Sequence, residues 1–97
     1  MRQPAVYMMT NRPHGTLYIG VTADLQRRVS EHSLQQGRSF AARYNLDRLV
    51  WWERHESMVA AIQRETSLKR WKRDWKIELI EASNPLWHDL TETWVAT

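Results

Sequence analysis

The sequence predicts an α/β fold of the α+β kind: a small three-stranded antiparallel sheet flanked by helices, in the order ββαβαα. Three observations carry this. Two β-prone segments near the N-terminus are joined by five turn-forming residues, Asn11-Arg-Pro-His-Gly15. A third strand-like run, rich in Trp and Val, lies at Arg48–Arg54. The stretches before and after it place apolar residues at helical spacing. With 97 residues, one domain spanning 1–97 is expected, without room for a second core.

Each element has a local reason. Ala5–Thr10 is short, β-prone and preceded by a proline. Thr16–Val21 forms the second strand, and Gly20 within it signals a bulge or a close backbone approach. Thr22 or Asp24 can cap a helix running to about Gln36, with Leu25, Val29 and His32 on one face and Gly37 as its stop. Gly37–Asn45 is an Arg-containing loop ahead of the third strand. Ser57 caps a second helix through roughly Lys69. A further helix covers about Arg73 to Ala82, separate from or continuous with the second, and Asn84-Pro85 ends it.

Composition narrows the chemistry. The absence of cysteine excludes disulfide scaffolds, thiolate zinc sites and cysteine nucleophiles. No apolar run is long enough to span a membrane and no apolar signal segment follows Met1, which fits a cytoplasmic protein with no membrane partner. Nucleotide-loop, zinc-protease and serine-hydrolase signatures are missing, and His14, His32, His55 and His88 lack zinc spacing. The net charge of +3 arises from 14 basic and 11 acidic side chains, and 11 of the 14 are arginines, the side chain whose planar fork grips phosphate. An anionic partner is indicated. Six tryptophans serve as core or as stacking surfaces.

Helical geometry sorts the candidate residues. At ~100° per residue, Arg28 falls on the edge of the Leu25–Val29–His32 face while Arg27 points to solvent. Arg28 and His32, four apart, can therefore converge beside the sheet. On the second helix Met58, Ala61, Ile62 and Leu68 form an apolar stripe, interrupted by Glu65. A carboxylate there needs a partner, either a structural arginine or a divalent metal. Lys69, Lys72, Arg73 and Lys76 would make one basic stripe if the two helices were continuous, and Arg38 and Arg43 in the preceding loop could extend a phosphate-tracking surface.

These residues resemble a known family. Ala5-Val-Tyr7 followed by Tyr18-Ile-Gly20 is similar to the signature of the GIY-YIG nucleases. Thr22 to His32 looks like that family's helix. Arg43 to Glu53, Arg64-Glu65, Leu68-Lys69-x-Trp71 and Asn84-Pro-x-Trp87 resemble its small stand-alone bacterial members. The register of the resemblance also selects Arg28 over Arg27. It implies a metal-dependent endonuclease that hydrolyses phosphodiester bonds in nucleic acid, with DNA favoured over RNA. Tyr7, Tyr18 and His32 would assist attack by water, Arg28 would clamp the phosphate, and Glu65 would hold one divalent ion, Mg2+ or Mn2+. Gly20 and Asn84 would be structural residues near the site. Ala5-Val6 departs from the family's Gly-Ile, and the chain carries no separate DNA-binding domain. The alternative is thus a nucleic-acid-binding or partner-recruited module with weak catalysis, a protein partner supplying extra binding.

Overall fold

The computed structural model describes residues 3–34 and 46–94, without the side chains of residues 32–34 and 93. Strands β1 (Ala5–Thr10), β2 (Leu17–Thr22) and β3 (Arg48–Arg54) form one antiparallel sheet in the order β2-β1-β3. Helix α1 (Leu25–Leu34) precedes β3; α2 (Met58–Arg70), α3 (Arg73–Ser83) and a short 3-10 turn, Leu90–Thr93, follow it. Among the described residues the ββαβαα order is the one the sequence predicts, and no helix is long and apolar enough to cross a membrane.

β1 is wholly buried because it is the central strand and both of its faces are covered. One face packs Val6, Met8, Ile19, Val50 and Trp51 against Ala61, Leu68 and Ile80 of α2 and α3, with Trp87. The other packs Tyr7, Met9 and Leu49 against Val29 of α1 and Leu46, with Leu25, Leu90 and Trp94 at its margin. Alternation along the strand thus assigns Val6 and Tyr7 to opposite layers. The departure at Ala5-Val6 is accommodated without exposure, since both side chains are fully buried.

The sequence left Gly20 with two meanings, and the register separates them. β1 and β2 pair without a shift, from Ala5↔Thr22 to Thr10↔Leu17. The irregularity lies on the other side of β1: Met8 faces Trp51 and Met9 faces Leu49, leaving Val50 as the extra residue of a bulge. Gly20 serves the close approach instead.

Local capping chemistry explains the helix starts. Asp24 accepts the Arg27 amide at 3.3 Å, and its own amide is held by the Thr22 hydroxyl at 3.0 Å, so both candidate residues take part in the entry to α1. Ser57 accepts the Ala60 amide at 3.1 Å and starts α2.

One expectation about the later helices is corrected and one open alternative is decided. The apolar arc of α2 consists of Met58, Ala61 and Leu68; Ile62 is 46% exposed. Measured from Ala61, Leu68, Glu65 and Met58 lie between about −20° and 60°, whereas Ile62 lies at about 100°, on the rim. Nor is α2 continuous with α3. Trp71 and Lys72 are both extended, with ψ of 149°, so the chain turns between the helices. Arg73, at the start of α3, donates to the carbonyls of His14 at 2.8 Å and Gly15 at 2.7 Å, which ties the new helix direction to the β1–β2 turn. Lys69, Lys72, Arg73 and Lys76 therefore do not share one helical stripe.

Candidate active site

The site is built outward from Tyr7. This residue stands on the central strand between Gly20 of β2 and Trp52 of β3, with its side chain only 1% exposed. Its ring lies across Gly20: a Cβ at that position would come within 2.5 Å of both Cζ and the hydroxyl of Tyr7. No side chain larger than hydrogen leaves room for the ring there. Tyr18, half-buried two residues earlier on β2, faces the same layer. The two rings are 6.2 Å apart at 43°, and their side chains share a hydrogen bond.

Helix α1 brings Arg28 to this pair. Its guanidinium is half exposed and lies 3.7 Å from Glu31. With Thr22, Ala23, Asp24, Arg27 and Glu31 it lines an open cavity of about 310 Å3 at the start of the helix. Arg27 is the more exposed of the two, and at 3.8 Å it shares Glu31. Both arginines therefore border the cavity, but Arg28 is the one whose charge acts on Tyr7.

Glu65 reaches the site from α2. Its side chain is 16% exposed although its neighbours on the arc are apolar, and its ion pair is with Lys69 at 3.5 Å. The partner is thus a lysine at the rim rather than an arginine in the core. The Tyr7 hydroxyl registers the whole assembly. Burial pushes it far above the ordinary tyrosine value of 10.0; the neighbouring Tyr18 and the carboxylate of Glu65 add to this, and Arg28 opposes it. Tyr18, Arg28 and Glu65 each lie within electrostatic reach of the Tyr7 hydroxyl, and Tyr7 is a neutral phenol at physiological pH.

The donor set can be tested against the divalent ion. No group of three or more His, Cys, Asp or Glu capable of enclosing a metal occurs among the described residues. A closed cage is not required for Mg2+, which is commonly held by one or two carboxylates and keeps the rest of its shell for water and substrate phosphate. Glu65, little exposed and paired with a lysine side chain that is itself 56% exposed, fits such a site.

Asn84 is occupied elsewhere. Its amide nitrogen donates to the carbonyls of Val50 at 3.1 Å and His88 at 2.9 Å, and its oxygen accepts the His88 amide at 3.0 Å. It fastens the end of α3 to the bulge of β3. Of the basic candidates, Arg73 holds the β1–β2 turn, Lys69 pairs with Glu65, Lys72 lies over the ring of Trp75, and Lys76 is half-buried on α3. Arg38, Arg43 and the side chain of His32 lie outside the described residues. Glu31 was not anticipated as a site residue, although its spacing of four from Arg27 and three from Arg28 carried the signal.

The chain is similar to known proteins. The pattern of the GIY-YIG catalytic domain matches residues 3–78. UPF0213 protein NP_0776A of Natronomonas pharaonis is 38% identical over 65 residues, covering 67% of this chain and 76% of that protein. A UPF0213 protein of Staphylococcus aureus strain Mu3 is 33% identical over 67 residues, covering 69% and 82%. The solution NMR structure of UPF0213 protein BH0048 from Bacillus halodurans superposes with a TM-score of 0.56 at 23% identity, over 97% of this chain and 99% of that one, so the likeness is one of fold.

Proposed function

The chain belongs to the GIY-YIG family, a family of nuclease domains, and from that premise we propose that it is a metal-dependent endonuclease acting on nucleic acid, with DNA as the first substrate to test. The observation that carries the proposal is the meeting of an arginine, a carboxylate and a second tyrosine at the buried phenol of Tyr7.

Arg28 binds the phosphate that is cut and balances the charge developing on it. Such an electrostatic clamp is worth up to several kcal/mol, roughly 2.7–4 in well-studied cases of a single donor. Glu65 would hold the divalent ion, which would supply neutralisation of phosphate charge and a water of lowered pKa. Tyr7 does not act as a standing phenolate, because burial keeps it protonated. Its hydroxyl orients the attacking water and passes a proton on, with Tyr18 as its hydrogen-bonded neighbour and His32 as the acceptor on α1. Gly20 keeps the Tyr7 ring in position.

A cleavage screen over single-stranded, duplex, flapped and branched substrates with Mg2+ and with Mn2+ tests the reading. Cleavage that Arg28→Ala removes and Arg27→Ala largely keeps is expected. No cleavage of any substrate by the folded wild type would reduce the chain to a binding module.

A further inference from the structure

We propose that the elbow between α2 and α3 binds an unpaired nucleobase, stacked on Trp75, of the same strand that enters the Tyr7 site; this rests on the nuclease reading above.

Charge is the first observation. Residues 69–78 hold five cationic side chains, including all three lysines of the chain, against Asp74 and Glu78. That segment accounts for the whole net charge of +3, and the remainder of the chain is neutral. Exposure is the second. Trp51 and Trp87 are buried, but Trp75 is 50% exposed at the centre of the cationic segment. It lines a shallow groove of about 460 Å3 with Trp71, Glu78 and Leu79.

The groove has a fixed wall and an adaptable one. Trp71 meets Trp75 edge-on at 6.2 Å and 83°, and is held by the Arg64 guanidinium 5.3 Å from its ring. Arg64 is in turn bound to Glu53 at 3.1 Å. Lys72, whose ammonium is 5.6 Å from the Trp75 ring, is exposed and free to swing to a phosphate. The carboxylate of Glu78 disfavours a phosphate inside the groove. A base therefore fits between the apolar walls, with its phosphates directed to Lys69, Arg70 and Lys72 outside. The same carboxylate argues against an acidic peptide as occupant.

Placement links the groove to the catalytic centre. α2 carries Glu65 and ends six residues later at Trp71, ~9 Å further along its axis. A stacked strand covers that distance in about three nucleotides. Duplex DNA keeps its bases paired and cannot offer one to Trp75, so the groove selects substrates with an unpaired stretch a few nucleotides from the cut.

Fluorescence polarisation with a labelled single strand and the matching duplex, in EDTA and at one fixed salt concentration, tests the proposal. The wild type should bind the single strand more tightly, and Trp75→Ala should weaken it roughly ten-fold, the size of one lost base stack, with little change in duplex binding. Trp75→Phe should retain most of the affinity, and its melting curve guards against a folding artefact in Trp75→Ala. An abasic run in the oligonucleotide should weaken the wild type by a similar factor and Trp75→Ala hardly at all. Equal binding of single strand and duplex, or an abasic penalty that is unchanged in Trp75→Ala, overturns the proposal. So does absence of nucleic-acid binding, or Trp75-dependent binding of polyglutamate in place of the single strand. Because the assay contains no metal, Trp75-dependent binding without any cleavage in Mg2+ would sink the nuclease reading alone, and cleavage with Trp75-independent binding would sink the groove alone.

Discussion

The two ends of β1's neighbourhood are held together differently. Around β3 and the C-terminal segment, polar side chains are buried or half-buried and hydrogen-bonded to the backbone. Asn84 makes three hydrogen bonds, Asp89 holds the amides of Leu49 at 3.3 Å and Thr91 at 3.1 Å, and Arg48 donates to the Trp87 carbonyl at 3.0 Å. Trp87 itself is 1% exposed and donates to Glu81 at 2.8 Å. Around Tyr7, Arg28 and Glu65 the ion pairs are longer, between 3.5 and 3.8 Å, and open to water on at least one partner. Such pairs contribute about 0–1 kcal/mol each. The first region spends its polar groups on holding the fold; the second leaves its charges in part-exposed pairs.

Removing a buried member of the first region should have the largest effect. Trp87→Ala should cost about 3–5 kcal/mol, as for other large-to-small aromatic changes in cores, and any loss of cleavage should follow the loss of folded protein. Chemical denaturation measures it, and a change below about 1 kcal/mol would show that Trp87 does not anchor this side.

Gly20→Ala sits where the two regions meet. The added methyl collides with the Tyr7 ring inside a packed layer, so stability should fall by about 1–3 kcal/mol and activity should fall further than stability. Tyr7→Leu, which removes the ring, should cancel most of the stability cost in the double variant. An additive double variant would mean that the glycine is needed for its backbone alone.

Alkaline titration sharpens the contrast in another way. Burial raises the Tyr7 pKa above its unfolded value of 10.0, so the unfolded chain loses this proton before the folded one does. The contribution is fully present below about pH 10 and is lost as pH rises through the folded value. Wild type should therefore lose more stability between pH 8 and pH 11 than Tyr7→Phe does. Parallel losses in denaturant midpoint would show that Tyr7 ionises freely in the folded protein.

Arg28→Ala, in the second region, should change stability by less than about 0.5 kcal/mol, the usual range for exposed positions, while removing cleavage. Arg27→Ala should leave most of it. Equal losses from the two would dissolve the distinction between them.

What the sequence revealed of all this depended on how local each signal was. The strands, the caps at Asp24 and Ser57, and the anomaly of Glu65 on an apolar arc follow from neighbours within one or two helical turns. The preference for Arg28 over Arg27 came from the same geometry, although both arginines proved to border the cavity. The ends of the two helices near Lys69 and Arg73 were legible, but whether they run on into each other was not, because no Gly or Pro marks Trp71–Lys72; Arg73 sets the break by bonding to carbonyls 58 and 59 residues away. Asn84 was marked as a helix end and a structural residue, but its partner Val50, 34 residues distant, was not legible. Gly20 announced a special backbone, but only the pairing register identified the Tyr7 ring as the cause.

The catalytic centre is tested most directly by Glu65→Gln, assayed for metal-dependent cleavage beside a melting curve. The substitution keeps shape and packing, and the ion pair it removes among the described residues is with an exposed lysine. The melting temperature should stay level or rise, cleavage with Mg2+ or Mn2+ should disappear, and metal-free binding of nucleic acid should hold or tighten because a repelling carboxylate is gone. A Glu65→Gln protein that still cleaves with Mg2+ at the wild-type rate would contradict the account.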